Sequence, residues 1–472
     1  MIAWRLRLQE SLRRELLIAA AWSLGTALLA YIGARKLGTS GLLVPLGVVL
    51  LILLMRRPLA MVTLTSALVI LCEGSSFGLF SFTAHLYTHV YRQLTPVDFL
   101  VTLTVISIGM DLVVRKRELA RLPRPLVFAS CLLALGMIGG AVTGHAAGLG
   151  LRSVLLGEDV LAYLLLVPLA VANLDIGPDR IRALLLGAVG LAAIKAVLGL
   201  IEIIGHKGAP IEGVSTLTYY EPTANWLTMI VLLGIVVALV ARMRPPVWIL
   251  ACAPLLFASL LLSYRRSFWI ATVLGLLLVV MLGLSPTGRR LLVPVTLMLV
   301  IAFWLLGSVH LQDSQAPIVR RVASLNPSKL EQNAEDRYRL DERANVLAAL
   351  RAHPVSGLGM LVPWTASTKP LSVEHPEARL YVHFALLWFW LRLGILGALA
   401  YLSVMAATAL LAWRVWRARA EPLFKAFGLA SLCGIAGLVT IESTATFTGI
   451  DPRFTVLLAV QIGLLALLAR TA

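Results

Sequence analysis

Long apolar runs alternate with short polar connections along almost the whole chain, from Leu16 to Leu468. Each run approaches the roughly 20 residues that an α-helix needs to cross about 30 Å of hydrocarbon. A transmembrane β-barrel would instead alternate apolar and polar positions with a period of two, and the sequence lacks that alternation. The pattern therefore predicts an all-α polytopic membrane protein.

The apolar runs predict fourteen membrane spans. Their limits are residues 15–33, 41–55, 58–72, 96–114, 125–144, 153–172, 180–204, 223–241, 246–264, 267–284, 290–308, 383–413, 422–440 and 453–470. The second and third runs are short and could be tilted or re-entrant, so a count of twelve is the alternative. One long polar segment interrupts the runs, so the sequence predicts that the chain has three parts. These are transmembrane helices in 1–308, a large loop at 309–382, and C-terminal transmembrane helices in 383–472.

Composition agrees with this pattern: 59% of the residues are hydrophobic, 14% are charged, and the mean hydropathy is +0.89. The formal charge of +17 could indicate a nucleic-acid partner. However, the basic residues occur as small clusters between apolar runs rather than as one stripe along a soluble surface. The charge is better explained by membrane topology, with membrane lipids and no nucleic acid as partners.

The basic clusters orient the helices, because short cytoplasmic connections carry an excess of Lys and Arg. Six clusters place the N-terminus in the cytoplasm: Arg56-Arg57, Arg115-Lys116-Arg117, Arg180/Arg182, Arg242/Arg244, Arg289-Arg290 and Arg414/Arg417/Arg419. The pair Arg35-Lys36 disagrees with this orientation, because it falls on the outer side. This orientation puts the loop 309–382 and the pair Arg265-Arg266 on the outer face of the membrane.

Positive charge on that outer face departs from the same rule. The loop 309–382 carries nine Lys or Arg, which eight Asp or Glu nearly balance as in an ordinary solvated surface. Arg265 and Arg266 have no such explanation, because they lie between two apolar runs in LLLSYRRSFWIATVLG. A charge at such a boundary either extends to the interface or serves a site.

Three motifs in order resemble the shared core of the O-antigen ligase and polymerase superfamily, which includes protein O-oligosaccharyltransferases. They are LSYRRSFW (262–269), YRLDERANVLAALRAHPVSGLG (338–359), and His383 followed by a helix containing LRLGILG (391–397). The stretch STLTYYEPTANWL (215–227) is similar to a further piece of that superfamily. Phe384 stands where the family commonly has asparagine, and Arg339 corresponds to the family's loop arginine better than Arg343 by its distance to Pro354.

The resemblance implies a fold similar to C-type membrane glycosyltransferases. It also implies a bacterial inner membrane, whose outer face is periplasmic, and inverting transfer of a glycan from an undecaprenyl-pyrophosphate carrier to an acceptor at that periplasmic face. His383 and Arg266 would be the catalytic residues. The pyrophosphate would be bound by Arg265, Arg266, Arg339 and Arg343.

The residue chemistry is compatible with that reaction. Displacing a pyrophosphate needs positive charge for the leaving group and a base for the incoming hydroxyl. Metal-dependent sugar transfer often uses two aspartates one residue apart, and the sequence contains no D-x-D. We therefore predict neither a metal nor a cofactor. Arginine binds phosphate oxygens with two parallel hydrogen bonds, and a histidine of reference pKa near 6.5 can accept a proton. His383 could act as the base or only orient the acceptor.

Four functions remain open on the sequence. Ligation of O-antigen to lipid A-core is favoured, followed by polymerisation of lipid-linked repeat units on a growing glycan acceptor, and then by protein O-glycosylation. A transporter is the rival from another class, because Lys195, Glu202 and Arg392 lie inside apolar runs.

Overall fold

The computed structural model describes residues 25, 44–72, 74, 81–88, 94–157, 159–205, 209–211, 214–216, 221–283, 321, 334–371 and 379–470. The chain divides into two units, Met1–Met61 and Val62–Ala472. Within its described residues, the first unit contains helix α1, Val44–Met55, and the beginning of α2, Pro58–Leu71. The remaining elements belong to the second unit.

The second unit is built almost entirely from helices. They are α3 Pro96–Val114, α4 Arg124–Ala146, α5 Leu151–Leu156, α6 Asp159–Val171, α7 Pro178–Ile204, α8 Pro222–Val240, α9 Val247–Leu262, α10 Arg266–Gly283, α11 Ala334–Ala352, α12 Ala385–Ala418, α13 Pro422–Glu442 and α14 Pro452–Arg470. A 3₁₀ helix covers Ser81–Tyr87. Two three-residue strands, β1 Ala209–Ile211 and β2 Val214–Thr216, pair antiparallel with Pro210 opposite Ser215. Eight helices of the described segments are long and apolar enough to cross a membrane. The protein is an all-α polytopic membrane protein.

The predicted spans agree with the helices wherever the structure describes them. The spans 15–33, apart from Gly25, and 290–308 lie outside the described residues. Each of the others coincides with a helix to within a few residues, but two are interrupted. The span 153–172 is divided into α5 and α6, and α12 has a kink inside it. Helix α11 lies in the segment predicted as a loop and was not predicted.

The helix ends follow local chemistry. Proline occupies the first turn of α3, α4, α7, α8 and α13, where its missing N–H would have no helical partner. At α3 the Thr95 side chain accepts a hydrogen bond from the Asp98 backbone, and the Asp98 carboxylate accepts one from the Thr95 backbone. Such reciprocal capping stabilises a helix start by satisfying two exposed donors.

Helix α12 lies at the centre of the second unit, where it packs against α4, α13 and α14. It is not continuous, because Gly394 has φ +69° and ψ −167° in the middle of the helix. The backbone N–H of Ile395 donates to the carbonyl of Val355, outside the helix, at 2.9 Å. A side chain at position 394 would collide with the Val355 and Ser356 carbonyls. The kink therefore admits the segment that follows α11.

That segment, HPVSGLGMLV at 353–362, runs between α12 and a row of glycines on α4. The N–H of Met360 donates to the carbonyl of Gly140 at 3.0 Å, and the N–H of Leu358 donates to the carbonyl of Leu391 at 2.8 Å. A Cβ at Gly144 would lie 2.6 Å from the Met360 carbonyl oxygen. Small residues four apart let the backbones of membrane helices approach closely. Here Gly140 and Gly144 of α4 let the irregular segment approach in the same way.

The side chain of Arg392 closes this junction. It is 2% exposed, and its guanidinium donates to the carbonyls of Val362, Arg379 (3.1 Å) and Leu380 (2.7 Å). Buried carbonyls without a partner are costly in a region that excludes water. Arg392 therefore satisfies carbonyls of two irregular segments, one that follows α11 and one that precedes α12.

We predict different effects of alanine at two neighbouring glycines of α4. A Cβ at Gly140 would lie 2.6 Å from the Arg392 carbonyl oxygen, whereas a Cβ at Gly139 meets no atom within 4 Å. Gly140→Ala should therefore destabilise the protein by about 1–3 kcal/mol through overpacking, and Gly139→Ala should leave stability unchanged or slightly raised. Thermal unfolding of both purified variants in detergent measures the difference. Equal melting temperatures would contradict the close packing of α4 on α12.

Candidate functional site

The candidate site lies where three connections meet at one end of the helices. They are the turn 263–265 before α10, the segment 379–384 before α12, and the turn 443–451 before α14. The hydroxyl of Tyr381 accepts from the N–H of Thr446 at 2.9 Å, and Thr446 Oγ1 donates to the carbonyl of Val382 at 2.6 Å. The guanidinium carbon of Arg265 lies 5.3 Å from the ring centroid of Phe447. The three connections therefore form one continuous surface.

The turn before α10 has an unusual backbone. Tyr264 has φ +54°, although it is not glycine, and its side chain is buried. Its carbonyl accepts from Arg321 Nε at 3.1 Å, and Ser263 Oγ accepts from the N–H of Arg265 at 3.3 Å. A strained non-glycine residue costs on the order of 1–3 kcal/mol and persists where its surroundings hold it. The turn brings both predicted arginines, Arg265 and Arg266, to the start of α10.

Arg266 and Arg339, which were predicted to bind the same pyrophosphate, contact the same carboxylate. Arg266 Nη2 lies 2.9 Å and 3.0 Å from the two oxygens of Asp336, and Arg339 Nη1 lies 3.2 Å from Asp336 Oδ1. The Arg266 and Asp336 side chains are only 11% and 10% exposed. The two guanidinium groups therefore converge on one carboxylate.

His383, which lies just before α12, is held by Glu342 of α11, the helix that also carries Asp336. The Oε2 atom of Glu342 accepts from the backbone N–H of His383 at 2.8 Å and lies 3.0 Å from its Nδ1 atom. The Glu342 side chain is 2% exposed, whereas that of His383 is 27% exposed. The imidazole is therefore anchored from the protein side and remains partly open.

Two tyrosine rings flank the imidazole edge to face. The Tyr381 centroid lies 4.7 Å from that of His383, and the Tyr338 centroid lies 5.8 Å from it. Burial is the main reason that the pKa of Tyr381 is raised, and the backbone hydrogen bond with Thr446 and the charge of Arg265 only partly oppose it. Burial also raises the pKa of Tyr338, and the charge of Glu342 adds to that effect. Both phenols therefore stay protonated near neutral pH and are unsuited to act as bases.

Helix α11 joins the two halves of the site. Asp336 contacts Arg266 near its start, and Glu342 contacts His383 six residues later, roughly 9 Å along the helix axis at 1.5 Å per residue. Arg343 lies beside them, with its guanidinium carbon 5.4 Å from the ring centroid of Phe384. The structure thus brings His383 and Arg266 against the helix that carries Arg339 and Arg343, whereas Arg265 contacts Phe447 instead.

Sequence reasoning missed Asp336, Glu342 and the helix that carries them. A local signal was available: Glu342, Val346 and Leu350 recur every four residues, as on one face of an α-helix, and Arg351 and Pro354 mark its end. Glu342, Val346 and Leu350 are in fact buried. The partners of the two carboxylates could not be read from that pattern.

The STLTYYEPTANWL stretch contributes to a different group of charges. Glu221, at the start of α8, lies 2.5 Å from Arg453 Nη1, and Asp451 lies 3.0 Å from Arg453 Nη2. The Arg453 guanidinium also lies 5.3 Å from the ring centroid of Tyr87. These contacts tie the start of α8, the start of α14 and the 3₁₀ helix together. None of them involves His383 or the arginines above.

Within the described segments, no three His, Cys, Asp or Glu side chains are grouped so that they could hold a metal ion. The described side chains of the site include the guanidinium groups of the predicted arginines, the imidazole of His383, and the carboxylates of Asp336 and Glu342. Such a surface can bind an anion and accept a proton. Independence from metal ions remains a prediction.

A family model described as O-antigen ligase matches residues 251–402. The match covers most of α9, all of α10 and α11, and the first half of α12, and it includes all five predicted site residues. It confirms the resemblance to the O-antigen ligase superfamily and indicates lipid-linked glycan transfer in general. No curated protein matches the chain.

Proposed function

We propose that the protein transfers a glycan from undecaprenyl pyrophosphate to an acceptor hydroxyl at the periplasmic face of a bacterial inner membrane, most favourably joining O-antigen to lipid A-core. The observation that carries this proposal is the anchored, partly open imidazole of His383 beside a group of arginines on α10 and α11. The family description of residues 251–402 supports the same reaction class.

The arginines would bind the pyrophosphate leaving group. Arg266 and Arg339 already share one anion, the Asp336 carboxylate, so their guanidinium groups converge on one negatively charged group. Arg265 and Arg343 add positive charge at the edges of the same surface. Guanidinium groups stabilise the negative charge that grows on the leaving oxygen as the sugar–phosphate bond breaks.

His383 would serve as the base. The acceptor hydroxyl gives its proton to the imidazole while its oxygen attacks the anomeric carbon, and the electron pair of the broken bond leaves with the pyrophosphate. Attack from the face opposite the leaving group inverts the configuration at that carbon. The raised pKa values of Tyr338 and Tyr381 leave the imidazole as the better proton acceptor at this surface.

Transport is a weaker alternative than it was on the sequence. Arg392 supported it as a charge inside an apolar run, but its guanidinium is used by the backbone carbonyls of Val362, Arg379 and Leu380. Lys195 and Glu202 are buried on α7. A buried arginine with structural partners needs no transported substrate to explain it.

Reconstitution tests the proposal and separates its versions. Purified protein is mixed in proteoliposomes with an undecaprenyl-pyrophosphate-linked glycan and either lipid A-core or further lipid-linked glycan. Transfer to lipid A-core supports ligation, and a ladder of longer lipid-linked products indicates polymerisation instead. Transfer to neither acceptor contradicts both.

The proposed topology predicts the position of two reporters. A reporter fused after residue 345, in α11, should lie in the periplasm, and one fused after residue 418, at the end of α12, should lie in the cytoplasm. Paired alkaline phosphatase and fluorescent protein fusions measure this, because each is active on only one side. Two fusions on the same side would remove both the orientation and the periplasmic site.

Two substitutions should each reduce transfer severely. Removing a positioned base commonly costs on the order of 100-fold or more in rate, so His383→Ala should lose at least that. Arg266→Lys keeps the charge but loses the planar two-pronged geometry, and a large loss is again expected. The double variant should lose much less than the product of the single effects, since both groups act in one transition state.

Matched controls are available in α11 and just after it. His353→Ala removes an exposed histidine next to α11, and Arg337→Lys changes an exposed arginine of that helix. Both should transfer glycan at rates close to wild type. Rates are normalised to folded protein, and near-normal transfer by His383→Ala would return that histidine to a structural role.

Metal independence is predicted from the arginines and from the missing D-x-D pair. Transfer should continue in excess EDTA after the protein has been purified in chelator. An activity that disappears with EDTA and returns with Mg²⁺ or Mn²⁺ would contradict this prediction. A lipid-linked glycan transferase known to require a divalent ion serves as the positive control.

A further inference from the structure

We infer that Glu342 is a positioning residue that fixes the tautomer of His383, so that Nε2 carries the lone pair that accepts the proton. This inference rests on the proposed function for its catalytic consequence. The tautomer itself is a property of the protein and can be measured without substrate.

The contacts between the two residues hold both the backbone and the ring of His383. Glu342 Oε2 lies 2.8 Å from the backbone nitrogen and 3.0 Å from Nδ1, and Oε1 lies 3.2 Å from Nδ1. An ionised carboxylate accepts hydrogen bonds and cannot donate them. Nδ1 must therefore carry the proton in this contact, and in the neutral imidazole Nε2 is then the acceptor.

The surroundings keep the imidazole in this orientation. Tyr381 and Tyr338 meet it edge to face, at interplanar angles of 87° and 78°. The Tyr381 hydroxyl is itself bonded to the backbone of Thr446, so that ring cannot turn freely. Because two rings and a carboxylate confine the imidazole, rotation that would exchange Nδ1 and Nε2 is opposed by packing as well as by charge.

The arrangement also stabilises the charge that appears during the reaction. When the acceptor hydroxyl gives its proton to Nε2, the ring becomes an imidazolium with protons on both nitrogens. The buried Glu342 carboxylate lies next to that positive charge and favours it. The proton leaves Nε2 for water after the glycosidic bond has formed, which restores the starting tautomer.

The substitution Glu342→Gln tests this role with little change in shape. A glutamine offers one acceptor oxygen, which can remain with the backbone N–H of His383, and its NH₂ group then faces Nδ1. An NH₂ donor at Nδ1 favours the tautomer that carries its proton on Nε2. In that tautomer Nε2 has no free lone pair and cannot take the proton of the acceptor hydroxyl. We expect kcat to fall about 100-fold or more with KM little changed, as for loss of a general base.

Asp341→Asn is the matched control. It makes the same acid-to-amide change one residue earlier in α11, at a carboxylate whose oxygen lies 3.5 Å from Lys369 Nζ. This variant should keep a kcat close to wild type. A wild-type kcat in Glu342→Gln would overturn the inference.

A spectroscopic measurement tests the tautomer directly. The protein is labelled with ¹⁵N-histidine and studied at alkaline pH, where imidazoles are neutral, and the His383 signals are identified by their loss in His383→Ala. We expect Nδ1–H in the wild type and Nε2–H in Glu342→Gln. A wild-type His383 with its proton on Nε2 would overturn the inference, even if Glu342→Gln fails to fold. If the wild type transferred no glycan but showed the Nδ1–H tautomer, only the proposed function would fail.

Discussion

The close approach of three backbones beside Arg392 is the constraint on which the rest of the site depends. Irregular backbone can lie among membrane helices only where protein satisfies its polar groups, because the hydrocarbon offers no water. Glycines on α4 make room for the segment 353–362, and the kink at Gly394 makes room in α12. Arg392 donates to the carbonyls that this irregular backbone leaves without helical partners. The result is a backbone anchor beside α12, made by the segment 353–362 and by residues 379 and 380.

That backbone anchor determines where His383 lies. The carbonyls of Arg379 and Leu380 are held by Arg392, and the next residues are held by Tyr381 and Thr446. His383 therefore reaches α11 from a backbone that is anchored on two sides before the membrane helix begins. The GxG of the segment 353–362 belongs to this anchor. Gly359 has φ +94° and lies against the backbone of α4, which leaves no room for a side chain.

Helix α11 combines two kinds of contact in one short element. Its buried side carries Val346 and Leu350 together with Glu342, whereas Arg337 and Arg351 are exposed. Asp336 contacts the guanidinium groups of Arg266 and Arg339, and Glu342 contacts the imidazole and the backbone N–H of His383. Each carboxylate therefore positions the side chains that it contacts. A buried carboxylate is costly unless it is paired, and each of these has its partner across the tertiary structure.

The sequence by itself determined the membrane class and the limits of most helices. It also placed Arg265-Arg266 and His383 at the starts of two helices. Those features depend on local hydropathy and length, which a membrane imposes on each segment separately. Only the tertiary structure decided that Arg266 meets Asp336, 70 residues away, and that His383 meets Glu342, 41 residues away. It also decided that Arg392 is an anchor and that α12 is kinked. A pairing between distant residues depends on how the segments in between pack, and neither periodicity nor composition carries that information.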